Sequence, residues 1–154
     1  MENQIDYFLK QIEGRWISQK TTYYMQKTKL YANKSKNKII TVNNKVANTL
    51  MSSVDSNLYT LCNSNLNTNK NDSTLFLTDS SNKKGSIVKI KPFTKYNGIF
   101  KIDSNNCLKI EFTYNRISYT EYLYLITKNF HMHISLIKLK SRYIAVTFTS
   151  CIKI

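Results

Sequence analysis

Glycine and proline are nearly missing from this chain, with three and one among 154 residues. No Pro- or Gly-rich linker divides it and no internal repeat is visible, so residues 1–154 read as a single domain, long enough to bury a core without staples. Cysteine is also scarce. Cys62, Cys107 and Cys151 cannot all pair and no two stand at CxxC spacing with histidines following, which argues against a disulfide framework and a structural zinc site. Apolar runs of membrane-spanning length are absent, and Glu2 and Asp6 interrupt an amphipathic start, so neither a signal or transit peptide nor a membrane partner is expected. The protein is expected to be soluble and to stay where it is made.

Acidic residues are few, 9 against 23 Lys and Arg, for a formal charge of +14. Such a balance ordinarily points to nucleic acid. Here lysine accompanies abundant Asn, Ile and Tyr, all with A/T-rich codons, while Gly, Pro and the single Trp, with G/C-rich codons, are rare. The lysines are also spread along the chain instead of forming a block. A solvated basic surface encoded by an A/T-rich genome is favoured over a polyanion partner, and a basic nucleic-acid-binding barrel is the weakest of the functional readings.

What is present is an amphipathic helix followed by strands. Ile5, Phe8, Leu9 and Ile12 recur at helical spacing, Gly14 follows, and the Thr- and Tyr-rich run 15–24 has β preference. Strands are expected at about 16–27, 38–46, 58–62, 85–91, 98–102, 107–112, 117–127, 130–140 and 143–153, with 103–106 as a turn and the polar stretch 63–73 as a long hairpin loop. Nine or ten antiparallel strands in one domain make a closed barrel or a sandwich. Along 131–136, His131, His133 and Ser135 share one face, and Met132, Ile134 and Leu136 the other. In a sandwich the polar face would meet water, whereas in a ligand-holding barrel it would line a cup, and the alternation alone leaves both open.

Three blocks carry a resemblance. The run Gly14-Arg15-Trp16-Ile17-Ser18-Gln19-Lys20-Thr21-Thr22-Tyr23 is similar to the G-x-W-x-S-Q-R-T-x-H segment that opens the S-type phycobiliprotein chromophore lyases, the CpcS/CpeS family. Glu121-Tyr122-Leu123-Tyr124-Leu125 followed by Asn129-Phe130-His131-Met132-His133-Ile134-Ser135 resembles its E-x-I-W-F … N-L-R-x-R-T-S block with the spacing kept, and Phe148-Thr149-Ser150-Cys151-Ile152-Lys153 resembles its terminal S-F-x-S-E-I-R. The resemblance implies an all-β fold, a lipocalin-like closed antiparallel barrel of about ten strands with an N-terminal α-helix. It further implies a bilin lyase, which holds a linear tetrapyrrole (phycoerythrobilin or phycocyanobilin) as a transferred ligand, with no tightly bound cofactor. Such an enzyme attaches the bilin through a thioether to a cysteine of a phycobiliprotein subunit. The A/T-rich composition then suggests a plastid gene and a place in the chloroplast stroma.

On this reading Glu121 and Ser135 are the catalytic candidates, with Glu121 protonating or hydrogen-bonding the bilin nitrogens. His131, His133, Gln19, Lys20, Tyr124 and Cys151 are the bilin-binding candidates; Gln19 and Lys20 alternate, so at most one of them faces the cup. Trp16 is read as a core plug closing one barrel end. No metal is expected, because the two histidines lack a placed third ligand. His131, His133 and Cys151 stand where the family pattern has arginine, arginine and glutamate, which favours the rival reading of a non-catalytic bilin carrier. Outer faces rich in Ile and Tyr allow a homodimer without requiring one.

Overall fold

The computed structural model describes residues 4–43, 58–78, 83–104 and 106–154. A helix α1 (Gln4–Ile12) precedes ten strands: β1 (Gly14–Tyr24), β2 (Lys29–Asn43), β3 (Leu58–Asn65), β4 (Asn71–Thr78), β5 (Lys84–Lys91), β6 (Thr94–Ser104), β7 (Cys107–Tyr114), β8 (Ile117–Thr127), β9 (Phe130–Leu139) and β10 (Arg142–Lys153). Each strand pairs antiparallel with the next, and β1 also pairs with β10, so the sheet closes on itself. Among the described strands closure leaves no edge to protect, and it settles the choice between barrel and sandwich in favour of the barrel.

The helix seals one end. Its apolar stripe, Ile5, Phe8, Leu9 and Ile12, is no more than 2% exposed and packs into the core with Trp16, Ile39, Tyr59, Phe76, Phe100 and Leu108. Trp16 is the expected plug, and its indole N–H donates to the carbonyl of Ile12 at 2.9 Å, satisfying one of the open carbonyls at the helix end. Glu13 then ties the junction to β2 by accepting from the backbone N–H and the hydroxyl of Thr41. Gly14 makes the turn from helix to strand at φ +129°, where a Cβ would stand 2.7 Å from Cε of Lys153.

Two departures from the sequence-based expectations concern polar segments. The stretch 63–73 is not a long loop: β3 runs on through Asn65, β4 begins at Asn71, and Asn63 pairs with Asp72. Asn63 and Asp72 point into the barrel, so strands whose inner face is polar carried the composition of a loop. Likewise β2 begins at Lys29, nine residues before the expected start, because its first half near the open end is wet on both faces. The expected continuation of this strand to Val46 lies outside the described residues.

Candidate functional site

Four neighbouring strands bring the site together. In β8 and β9, Glu121 lies opposite Ser135 and Leu123 opposite His133; β10 sets Cys151 opposite His131; β1 sets Ser18 opposite Cys151. The two-residue period of a strand then turns Glu121, His131, His133, Ser135, Cys151 and Ser18 all inward. The aliphatic face of β9, Met132, Ile134 and Leu136, is the outer one, and the polar face lines the interior.

The groups form one chain of contacts. His133 Nδ1–H donates to Glu121 Oε1 at 2.6 Å, and the Tyr119 hydroxyl donates to Oε2 at 2.7 Å. The Ser135 hydroxyl in turn lies 3.0 Å from the Tyr119 oxygen and donates to it, since the tyrosine proton is already committed to Glu121. On its other side His133 Nε2 meets Nδ1 of His131 at 3.0 Å. Trp16 packs edge-on against His131, ring centroids 4.2 Å apart, and Ser18 Oγ lies 3.1 Å from Cys151 Sγ.

Electrostatics assigns the charges. Burial would raise the Glu121 carboxyl, but the hydrogen bond and charge of His133, with help from Lys89 and Tyr119, bring it down to about 2. Burial would likewise lower His133, yet its hydrogen bonds to Cys151 and Glu121 and the Glu121 charge lift it to about 9. His131 is pushed down to about 3 by burial and by the positive charges of His133 and Lys153, so it is neutral. Burial and the neighbouring Glu121 charge keep the Tyr119 phenol protonated. At neutral pH the site is therefore a carboxylate and an imidazolium, and its mobile proton sits on His133. Of the two roles expected of Glu121, protonating or hydrogen-bonding the bilin nitrogens, this charge state leaves the second: the carboxylate is an acceptor, and the proton lies on the ring it holds.

A cup opens above these groups. A cavity of about 360 Å³ is lined by Lys20, Lys89, Lys91, Tyr96, Phe112 and Tyr119 among others, and a shallower one of about 650 Å³ adjoins it through Lys91, with Lys70 and Asp72 on its wall. A deeper pocket of about 120 Å³ is lined by Glu121, His133, Lys89 and Phe112, so Lys89 and Phe112 belong to both levels. The larger spaces lie within the usual range of small-molecule sites, about 300–1,000 Å³.

The expected residues divide accordingly. Lys20 lines the cup, whereas Gln19 pairs with Ser150 on the outer face and leaves the site. Tyr124 is also outside, stacked with Tyr122 at 6.4 Å, because it alternates with the inward Leu123 and Leu125. His131 and His133 sit below the cup, engaged with each other and with Glu121, so the cations free to meet a ligand's carboxylates are the lysines. Among the described residues Ser135 is linked to Glu121 through the Tyr119 hydroxyl. Cys151 is buried and joins the histidines. Sequence reasoning missed Tyr119, Lys89 and Lys91; Tyr119, two residues before Glu121 and hence on its face, was open to discovery by alternation.

Comparison with known proteins agrees with this geometry. The model of the CpeS-like protein family matches residues 4–154. A protein of Gracilaria tenuistipitata var. liui described as a chromophore lyase CpcS/CpeS homolog is 32% identical over 147 residues, covering 95% of each chain. In fold, the chain is similar to the S-type phycobiliprotein lyase CpeS from Guillardia theta, with a TM-score of 0.67 at 15% identity over 97% of this chain and 92% of that one. It is also similar to a protein of unknown function from Nostoc punctiforme, with a TM-score of 0.60 at 9% identity over 95% of this chain and 49% of that one.

Proposed function

The chain belongs to the CpeS-like protein family, and from that premise we propose that it is a phycobiliprotein chromophore lyase that holds a bilin in the lysine-rimmed cup and passes it to a cysteine of a phycobiliprotein subunit. The observation that carries the reading is the partly buried Glu121–His133 pair at the foot of a cationic, aromatic-walled cavity. A linear tetrapyrrole such as phycoerythrobilin or phycocyanobilin presents two propionates, four pyrrolic nitrogens and a flat apolar body. Lys20, Lys89 and Lys91 suit the propionates as point charges, and Tyr96 and Phe112 suit the flat body. Glu121, held as the carboxylate, accepts from pyrrolic N–H groups.

The chemistry needs no oxidant. A proton from His133 makes the exocyclic double bond of ring A electrophilic; the acceptor sulfur bonds to that carbon; and the proton lost by the thiol restores the imidazolium. One S–H adds across one C=C, and nothing is reduced or oxidised. The plastid stroma, where phycobiliproteins are assembled, is the location that fits this reaction.

Coexpression with a bilin-producing system tests the reading. The purified protein should be coloured, and mixing it with an apo-phycobiliprotein subunit should leave colour on the subunit that survives denaturation. Colour without transfer would establish a carrier in place of a lyase, and a colourless protein would remove both.

A further inference from the structure

Three donors from two strands converge at the floor of the barrel. His131 and His133 of β9 and Cys151 of β10 each offer one ligand atom, and these atoms lie within 4.8 Å of one another. His133 Nε2 and His131 Nδ1 are 3.0 Å apart. Two nitrogens bound tetrahedrally at about 2.0–2.1 Å to one zinc ion stand roughly 3.3 Å apart, so the rings need only a small adjustment to share an ion. The third ligand that the sequence alone could not place beside the histidines is thus supplied by the pairing of β10 with β9.

The surroundings are those of a ligand set. The other nitrogen of His133 donates to Glu121 at 2.6 Å, the carboxylate–histidine arrangement that orients a ligating ring. Ser18 Oγ, 3.1 Å from Cys151 Sγ, is placed to donate to a thiolate. Trp16 fixes the plane of His131. His131 Nε2 is buried with no hydrogen-bond partner among the described residues, a cost that an aliphatic side chain at this position would avoid. Two imidazoles and a thiolate select a zinc-class ion over magnesium or calcium, and with Glu121 beside them the dication, thiolate and carboxylate sum to zero charge.

We propose that His131 Nδ1, His133 Nε2 and Cys151 Sγ bind a borderline-soft divalent ion, Zn²⁺, with the fourth position left to water or to a ligand entering from the 120 Å³ pocket that His133 lines. Binding displaces the proton on His133 Nε2 and the proton of the thiol. The site itself does not depend on the bilin reading.

Cobalt is the probe. Titrating the chelator-treated, bilin-free protein with Co²⁺ should saturate at a single equivalent, with the visible bands of tetrahedral cobalt and a near-ultraviolet sulfur-to-cobalt charge-transfer band, and Zn²⁺ should bleach both. Cys151→Ser should lose the charge-transfer band, while the double variant Cys62→Ser/Cys107→Ser, which leaves the site intact, should keep it. Glu121→Gln should weaken Co²⁺ binding about 10–100-fold. A pale octahedral spectrum from the native protein, loss of the charge-transfer band in the double variant, or its survival in Cys151→Ser would overturn the proposal. Because no bilin enters the assay, failure of the preceding reading leaves these outcomes unchanged.

Discussion

The proton on His133 ties the charge state of one residue to the stability of the whole chain. His133 is raised from 6.5 to about 9, so its contribution is complete below pH 6.5 and is lost as pH climbs through 9. Glu121 is lowered from 4.5 to about 2, so its contribution is complete above pH 4.5 and is lost as pH falls toward 2. The two shifts describe one ion pair, and without added metal it stabilises fully only between pH 4.5 and 6.5. Urea midpoints measured against pH should show a plateau there, and Glu121→Gln should remove the alkaline limb. Because water still touches 22% of the His133 side chain and 14% of Glu121, the cost of that substitution should fall near the lower end for a broken buried pair, about 3 kcal/mol. Side-chain direction gives a second prediction: in bilin titrations Gln19→Ala and Tyr124→Ala should leave affinity within about twofold, since both point outward, while Lys20→Ala or Lys89→Ala should weaken it about tenfold, as loss of one charged hydrogen bond implies.

Among the elements, the hairpin turns show what a glycine-poor chain gives up. Asn115 and Arg116 sit at φ +46° and +66°, and Lys140 and Ser141 at +47° and +67°, closing the two-residue loops between β7 and β8 and between β9 and β10. Both central residues of such turns need positive φ, which costs a residue with a Cβ about 1–2 kcal/mol. Arg116→Gly and Ser141→Gly should therefore each stabilise the protein by about 1 kcal/mol, raising the thermal midpoint, while Gly14→Ala should lower it. These hairpins were legible in the sequence, because Tyr- and Ile-rich runs flank short polar breaks. The end of β3 and strand β4 were not, because Asn63 in β3 and Asp72 and Thr74 in β4 give cup-lining strands the polarity of a loop. The site followed the same divide. Glu121, the histidines and Cys151 were found by motif and alternation, but their contact depends on register between strands, and the choice of which residue holds the proton depends on burial that no one-dimensional pattern records.

For the whole molecule, closure at one end decides what the other end can do. With the ring of strands complete, helix α1 is the floor of the cup, and Phe8, 1% exposed, is among its largest buried side chains. Phe8→Ala should cost about 3–5 kcal/mol, read from urea unfolding, and should also loosen the bed on which Trp16 rests. That bed has an optical consequence. Trp16 is the single tryptophan, it is 1% exposed, and its ring meets His131 edge-on at 4.2 Å. Excited at a wavelength the tyrosines do not absorb, the protein emits from one chromophore at the base of the site. Its emission should be quenched when a bound tetrapyrrole accepts its energy and when paramagnetic cobalt reaches the neighbouring imidazole, so the unlabelled molecule reports the occupancy of its own interior.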